Sequence, residues 1–215
     1  MQFSENVTLL GASKVKLGVL TEALTFAPRL VAADGGAKIA VKIGQMPDFV
    51  VGDLDSIDPQ TLAQIPKNRL VRVSEQETTD FEKCLTVIDA PVILGVGFLG
   101  RRVDHQLAAF NALIRHAHKP VVLINKRDLC FHLPADITLP LERGTRVSLF
   151  PMAPVTGRSE GLRWPIDGIA FAPDGRIGTS NIADGGTVRL NMDGPGMLAI
   201  MPRAALAQVV RALAR

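Results

Sequence analysis

Aspartates follow four apolar runs in the first half of the sequence, directly or after a short loop, and carboxylates so placed could hold a metal ion beside a phosphate. They are Asp34, Asp53 with Asp55, Asp80 and Asp104. Taken singly, an aspartate after a strand is an ordinary turn residue. Ligands of parallel sheets bind beyond the carboxyl ends of the strands, however, so four such runs would bring these side chains to one edge. The pattern predicts an acidic site there.

Asp53 and Asp55 are the most specific part of this pattern. On an extended segment, residues two apart point to the same side, and Gly52 lets the backbone approach closely. Magnesium prefers one or two carboxylates and is completed by water and substrate phosphates. The pair therefore indicates magnesium with a nucleotide, and the alternative is a solvated acidic turn. For Asp80, which begins a predicted helix, the alternative is a favourable place in the helix dipole.

The stretch "GVGFLGRRVDH" at residues 95–105 has glycines in the G-x-G-x-x-G spacing of a dinucleotide-binding turn. Such a turn requires an acidic residue about 20 positions later. The next apolar run, residues 120–125, ends without a carboxylate. We therefore interpret Gly97 and Gly100 as a loop whose amides approach phosphate.

Charged residues complete this loop. Arg101 and Arg102 are expected to be counter-charges for phosphate, and Asp104 begins the next predicted helix. His105 is interpreted as a structural residue of the helix start, because the sequence shows no partner that would make it a base. The sequence contains no P-loop motif, so that class of nucleotide-binding enzyme is excluded.

The elements that must position these residues alternate along the first 127 residues. Continuous apolar runs separated by helical segments predict a parallel sheet covered on both faces. The predicted strands lie within residues 7–12, 29–34, 48–53, 69–74, 91–96 and 120–125, and the predicted helices near 14–25, 36–43, 59–64, 80–88 and 104–117. Thr79 is expected to cap the fourth helix, with Glu82 completing a capping box.

The pattern changes after residue 127. Short alternating runs such as "TRVSLF" and "TVRLNM" are separated by the turns "PDG" and "DGG", which predicts a small all-β sandwich. A short C-terminal helix follows, with Leu206, Val209, Val210 and Leu213 on one face. The predicted fold class is therefore α/β, with a parallel-sheet domain at 1–127 and a β-sandwich domain at 128–215.

Composition narrows the range of expected binding partners. The formal charge of +3 suits an anionic ligand, but the basic residues are scattered, so we expect a phosphorylated small molecule and no nucleic acid. Two distant cysteines indicate neither a disulfide framework nor a zinc site. The first residues lack a basic-then-apolar leader, and no run is long enough to span a membrane. We expect a cytoplasmic protein with no membrane partner.

Several linked motifs resemble the thiamine pyrophosphokinase (thiamine diphosphokinase) family. They are "DGGA", "PDFVVGDLDSI", "TTDFEKCL" and "GFLGRRVDH", followed in the second part by "RVSLFPM", "GLRWPI" and "GTSNI". The resemblance covers nearly the whole chain. It implies an ATP-binding α/β domain, a β-sandwich domain, and a homodimer whose thiamine site lies between the α/β domain of one subunit and the sandwich of the other.

The resemblance also implies roles for individual residues. Asp53, Asp55 and Asp80 would bind magnesium and, with Arg102, form the catalytic set. The ATP-binding residues would be Asp34, Gly35, Gly36, Lys83, Gly97, Gly100 and Arg101, and the thiamine-binding residues would be Asp104, Trp164, Ser180 and Asn181. Trp164 is the only tryptophan, and its face would suit the cationic thiazolium of thiamine. The alternative interpretation of Trp164 is a core aromatic residue. The alternative interpretation of Ser180 and Asn181 is a turn.

The implied reaction is displacement at the β-phosphorus of ATP by the hydroxyethyl oxygen of thiamine, with AMP leaving opposite. This chemistry depends on alignment and charge neutralisation. Two other classes stay open: a metal-dependent phosphoesterase, and a nucleotide or thiamine sensor without turnover. The carboxylates and phosphate-facing cations disfavour the sensor, and the thiamine-binding elements disfavour the phosphoesterase.

Overall fold

A computed structural model describes residues 1–75, 77–100 and 102–214. The chain divides into two compact units. The first comprises Met1–Ala112 and Leu123–Asn125, and the second Leu113–Val122 and Lys126–Arg215. The expected division into segments 1–127 and 128–215 stays a prediction. No helix among the described residues is both long and apolar enough to cross a membrane.

The first unit is built on parallel strands in the order β5-β1-β2-β3-β4. The strands are β1 (Val7–Leu10), β2 (Arg29–Ala33), β3 (Phe49–Gly52), β4 (Leu70–Arg72) and β5 (Ile93–Val96). Every residue of β1 and β5 is buried, as expected for strands covered on both faces. A further strand, β6 (Val121–Ile124), is also fully buried. The strands predicted from the apolar runs are confirmed.

Five helices connect these strands. They are α1 (Leu17–Phe26), α2 (Gly36–Lys42), α3 (Pro59–Gln64), α4 (Asp80–Val87) and α5 (Val103–Arg115). The side chain of Thr79 accepts a hydrogen bond from the Glu82 amide, so the predicted cap of α4 is confirmed. Asp58 caps α3 in the same way, and Pro59 follows it where proline fits a helix start.

Antiparallel strands make up most of the second unit. One antiparallel sheet has the order β7-β13-β9-β11, and a second has the order β10-β12-β8. The strands are β7 (Asp128–His132), β8 (Asp136–Leu141), β9 (Arg146–Pro151), β10 (Gly157–Glu160), β11 (Gly178–Ile182), β12 (Gly186–Met192) and β13 (Met197–Pro202). The predicted fold class, an α/β part followed by a small antiparallel β part, is confirmed.

Alternation of side chains explains how the second unit builds its core. In β12, Val188, Leu190 and Met192 are buried while Arg189 and Asn191 between them are exposed, which is the period of a strand with one covered face. The C-terminal helix α6 (Leu206–Leu213) packs against β8. Three of the four residues on its predicted apolar face are buried, namely Leu206, Val209 and Val210.

Gly36 at the start of α2 provides a test of this packing. A Cβ at this position would lie 2.0 Å from the Leu10 carbonyl oxygen, whereas a Cβ on helical Gly18 would meet nothing within 4 Å. We expect Gly36→Ala to lower the free energy of unfolding by about 3 kcal/mol, because backbone must move. Gly18→Ala, the matched control, should raise it by about 0.5–1 kcal/mol. Urea denaturation measures both, and equal stabilities would contradict the close approach of α2 to β1.

Candidate active site

Three carboxylates meet beyond the ends of β2 and β3. Asp34 directly follows β2, and Asp53 and Asp55 follow β3. One oxygen from each of the three lies within 4.8 Å of the others. The arrangement is typical of hard oxygen ligands for a divalent cation. The predicted gathering of aspartates at this edge is thus observed for these three residues.

The backbone of two neighbouring strands produces this cluster. The Asp34 amide donates a hydrogen bond of 2.8 Å to the Val51 carbonyl, which ties the end of β2 to β3. A Cβ on Gly52 would lie 2.8 Å from the Cβ of Asp34, so glycine is required for the approach. Asp34 and Leu54 both have positive φ, at 39° and 69°, conformations that non-glycine residues rarely adopt. Such strain is typical of functional sites.

Asp34 is the most unusual member of the cluster. Its residue is 1% exposed, and its Oδ1 has no hydrogen-bond partner among the described residues. A buried carboxylate oxygen without a partner is costly unless something binds it. Its neighbours in the cluster are carboxylates, which cannot donate to it when ionised. A cation is therefore the chemistry that this atom fits.

A buried ammonium lies beside the cluster. Lys83 on α4 places its Nζ 2.8 Å from Asp53 Oδ2 and 3.7 Å from Asp80 Oδ1, and its side chain is only 3% exposed. The hydrogen bond from Lys83 lowers the pKa of Asp53 to about 2. Burial raises the pKa of Asp80, and the charge of Asp34 adds to this effect. Lys83 thus neutralises part of the acidic charge of the site.

The glycine loop lines a cavity of about 330 Å³ in the same unit. Gly97 and Gly100 have positive φ, at 86° and 95°. A Cβ on Gly97 would lie 2.8 Å from the Gly11 carbonyl oxygen, so the loop touches the end of β1 through its backbone. The cavity is lined by Gly11, Ala12, Ser13, Ala33, Ser56, Thr79, Asp80, Phe81, Gly97, Phe98, Arg102, His105 and Ala109. The cavity therefore extends from the glycine loop to Ser56, which follows Asp55, and to Asp80.

The charged residues after the glycine loop pair with each other. Arg102 Nε lies 3.1 Å from Asp104 Oδ1, and a second contact joins Arg102 Nη2 to Asp104 Oδ2. Both side chains are 63% exposed. Arg102 lines the cavity, as does His105. Arg101, predicted to contact phosphate, lies outside the described residues.

The second unit holds a separate cavity of about 390 Å³ beside Trp164. Trp164 lines this cavity and is 54% exposed, and the Arg163 guanidinium carbon lies 5.6 Å from the ring centroid. Trp164 is therefore not the core aromatic of the alternative interpretation. The other lining residues are Pro165, Ile166, Ile169, Phe171, Arg176, Ile177, Gly178, Thr179, Ser180 and Asn181. An aromatic wall with apolar and hydroxyl neighbours suits a flat heteroaromatic ring.

The structure adds features that the motifs did not reveal. Lys83, predicted to face phosphate, is buried between Asp53 and Asp80. Phe81 and Phe98, whose ring centroids are 4.6 Å apart, line the first cavity. Ser148, buried in β9, accepts a hydrogen bond from the Ser180 amide. A polar residue within the apolar run "RVSLF" was the available signal for Ser148.

Comparisons with known proteins identify the class of this protein. The family model described as "Thiamin pyrophosphokinase, catalytic domain" matches residues 20–124. The model "Thiamin pyrophosphokinase, vitamin B1 binding domain" matches residues 135–196. The first match contains the carboxylate cluster and the glycine loop, and the second contains Trp164. The chain is a diphosphotransferase with separate catalytic and vitamin-binding parts.

Whole-chain comparisons agree. The chain is 31% identical to thiamine pyrophosphokinase 1 of Oryza sativa subsp. japonica, over 71% of this chain and 65% of the relative. It is 30% identical to thiamine pyrophosphokinase 2 of the same organism, over 85% and 84%. The solved structure of thiamin pyrophosphokinase from Candida albicans shares the fold, with a TM-score of 0.77 at 18% identity, over 94% of this chain and 92% of that one.

The chain belongs to the thiamine pyrophosphokinase family. The reaction known for this family is transfer of the pyrophosphoryl group of ATP to thiamine, which gives thiamine diphosphate and AMP. The resemblance in the sequence motifs is therefore confirmed at the level of family and enzyme class.

Lys83→Met tests the ion pair beneath the carboxylates. The Asp53 pKa is lowered from 3.8 to about 2, so its ionised form adds stability above pH 4 that is lost as pH falls towards 2. Because Lys83 is the largest but not the only cause of this shift, we expect the variant to lose about 1–2 kcal/mol of unfolding free energy at pH 7, and less at pH 3. Urea denaturation at both pH values measures this.

The matched control is Lys38→Met. Lys38 Nζ lies 3.7 Å from Asp58 Oδ2 in an exposed pair. Its loss should change the unfolding free energy by no more than about 0.5 kcal/mol. A Lys83→Met loss that is the same at pH 7 and pH 3 would assign the effect to packing rather than to the ion pair.

Proposed function

We propose that this chain binds ATP with magnesium at the carboxylate cluster and thiamine at the Trp164 cavity, and performs the family's reaction with these groups. The observation that carries the proposal is the buried Oδ1 of Asp34, which has no hydrogen-bond partner in the described ranges and lies within a cluster of three carboxylates. The phosphoesterase alternative would use the same cluster without the second cavity. The sensor alternative would use both without turnover.

The residues present fit magnesium. Asp34, Asp53 and Asp55 supply oxygen atoms from two neighbouring strand ends, and Asp80 is the fourth carboxylate of the proposed set. When bound, magnesium would neutralise phosphate charge and polarise phosphoryl oxygens. Lys83 lowers the pKa of Asp53 to about 2, so this carboxylate stays ionised beside the other acidic groups. Asp34 thus joins the metal ligands proposed from the sequence.

ATP fits the cavity beside these carboxylates. The positive φ of Gly97 and Gly100 lets backbone amides approach phosphate oxygens that side chains would block. Gly35 and Gly36 begin α2 beside Asp34, again with little bulk. Arg102 lines the cavity and is proposed to exchange its partner Asp104 for phosphate when ATP binds. Arg101 is proposed as a second counter-charge on sequence grounds alone.

Thiamine is proposed to stack on Trp164 with its pyrimidine beside Ser180, and to meet Asp104 at its other end. The hydroxyethyl oxygen then attacks the β-phosphorus of ATP. The bond between that phosphorus and the α,β-bridging oxygen breaks, AMP leaves with the bridging oxygen, and the hydroxyl proton is released. Alignment of the two reactants and neutralisation of charge supply the rate, and no covalent enzyme intermediate is required. We propose a cytoplasmic location, where ATP is present.

Asp55→Asn tests the catalytic proposal. Purified protein is incubated with thiamine, ATP and magnesium, and nucleotides and thiamine esters are separated by chromatography. The wild type should form AMP and thiamine diphosphate in equal amounts, and the variant should be slower by at least about a hundredfold, because a metal ligand is lost.

Asp58→Asn is the matched control for Asp55→Asn. Asp58 caps α3 outside the cluster, and asparagine caps helices equally well, so near-normal turnover is expected. Thiamine-independent phosphate release by the wild type would favour a phosphoesterase. Binding of both substrates without products would favour a sensor.

We propose further that the protein is a homodimer in which thiamine lies between the α/β unit of one subunit and the β unit of the other. The exposure of Trp164 supports this, because a tryptophan residue that is 54% exposed can present apolar area to another surface. Val103 and Leu107, one turn apart on α5, are exposed by 78% and 58% and offer further apolar area.

Complementation between two impaired variants, assayed at a thiamine concentration well below the wild-type KM, tests the shared site. Asp55→Asn removes a group from the α/β unit, and Trp164→Ala removes one from the β unit. If each site uses both subunits, co-expression of the two variants should restore about one quarter of wild-type activity, since half the dimers are mixed and each has one intact site. Each variant expressed alone is the control. Activity that stays at the level of the single variants would place each site within one chain.

A further inference from the structure

An irregular stretch of β11 shapes the second cavity. The register of β11 against β9 shifts between Gly178 and Asn181, and Ser180 within the shift has a φ of 63°. The Ser180 amide donates a hydrogen bond of 3.0 Å to the hydroxyl of buried Ser148. The bulge therefore turns Ser180 outward and Asn181 inward, although both line the cavity.

Asn181 uses its side chain to hold the backbone of the tryptophan segment. Its Nδ2 donates a hydrogen bond of 2.7 Å to the Trp164 carbonyl, and its Oδ1 accepts from the Trp164 amide at 3.3 Å. The same oxygen accepts from the Ile182 amide at 2.8 Å. Three of the four hydrogen-bonding positions of the amide are thus engaged with backbone. Asn181 itself is only 7% exposed.

The attachment extends the pairing of two chain segments by one residue. The Arg163 amide donates to the Ile182 carbonyl at 2.8 Å, and Leu162 pairs with Ala183. Beyond Arg163 the backbone pairing ends. The next hydrogen bonds to this segment come from the Asn181 side chain, at Trp164. The backbone amide and carbonyl of Trp164 both bond to Asn181. One buried side chain therefore fixes the backbone from which the indole extends.

We propose that Asn181 is a positioning residue, which sets the affinity for thiamine by holding Trp164 rather than by contacting the substrate. This inference rests on the proposed stacking of thiamine on Trp164. Without the Asn181 side chain, the Ile182 amide and both backbone groups of Trp164 lose this partner, and the ring can leave the wall of the cavity. The expected kinetic signature is a raised KM for thiamine with kcat and the KM for ATP nearly unchanged.

Steady-state kinetics of Asn181→Ala provide the first test. We expect the KM for thiamine to rise about tenfold, the order of a lost stacking contact, while the KM for ATP changes less than about twofold. Asn191→Ala is the control, because Asn191 is an exposed asparagine of the same unit that lies on β12 away from this cavity. Unchanged kinetics in Asn181→Ala would overturn the proposal.

A double-mutant cycle separates positioning from direct contact. In a Trp164→Ala background there is no indole to hold, so the effect of Asn181→Ala on the thiamine KM should disappear. An effect of equal size in that background would show direct contact and overturn the proposal. Asn181→Asp keeps the two accepting positions and loses the donor to Trp164. Positioning predicts a raised KM, whereas direct contact with cationic thiamine predicts a lowered one.

Fluorescence reports the position of the ring without any turnover. The chain has one tryptophan and no tyrosine, so its indole emission comes from Trp164 alone. We expect Asn181→Ala and Asn181→Asp to lower the emission anisotropy and to increase quenching by acrylamide, with far-ultraviolet circular dichroism unchanged. Emission identical to that of the wild type would overturn the proposal. Absence of thiamine diphosphate formation by the wild type would instead reject the proposed function, while this readout still tests the positioning of Trp164 by Asn181.

Discussion

Repulsion among carboxylates is the constraint on which the catalytic unit depends. Three carboxylate oxygens lie within 4.8 Å of one another, and a fourth carboxylate, Asp80, is close by. Like charges at this distance in a partly buried site destabilise the fold unless cations offset them. Lys83 supplies one such cation, buried beneath Asp53. The remaining negative charge is the reason for which we propose a divalent cation at this site.

Backbone geometry makes that charge cluster possible. Parallel pairing of β2 and β3 brings Asp34 next to Gly52, and any larger residue at position 52 would push the carboxylate away. The strained φ values of Asp34 and Leu54 persist because the buried strands behind them are fully packed. The sheet thus stabilises an arrangement that is locally unfavourable, and the gain is a site arranged before substrate arrives.

In the β unit, hydrogen bonds to the backbone hold an exposed aromatic residue, Trp164, in place. Trp164 stands on a turn, so its position depends on what holds the backbone there. Buried polar side chains take this role: Asn181 binds the Trp164 segment and Ser148 binds the bulge at Ser180. Both buried side chains form hydrogen bonds with backbone groups, which makes the arrangement stable and specific. Neutral amides and hydroxyls suit this task beside a cationic ligand.

The sequence by itself determined the order of strands and helices in the α/β part, the cap at Thr79, the edge at which aspartates gather, and the family through its linked motifs. These depend on local periodicity and on spacing along the chain, which one sequence displays. Only the tertiary structure decided that Lys83 lies buried between Asp53 and Asp80, that one oxygen of Asp34 has no partner within the described part of the chain, and that Asn181 binds the backbone of Trp164. The reason is that Lys83 and Asp53, like Asn181 and Trp164, are distant in sequence, and the direction of a side chain depends on the packing of neighbouring elements.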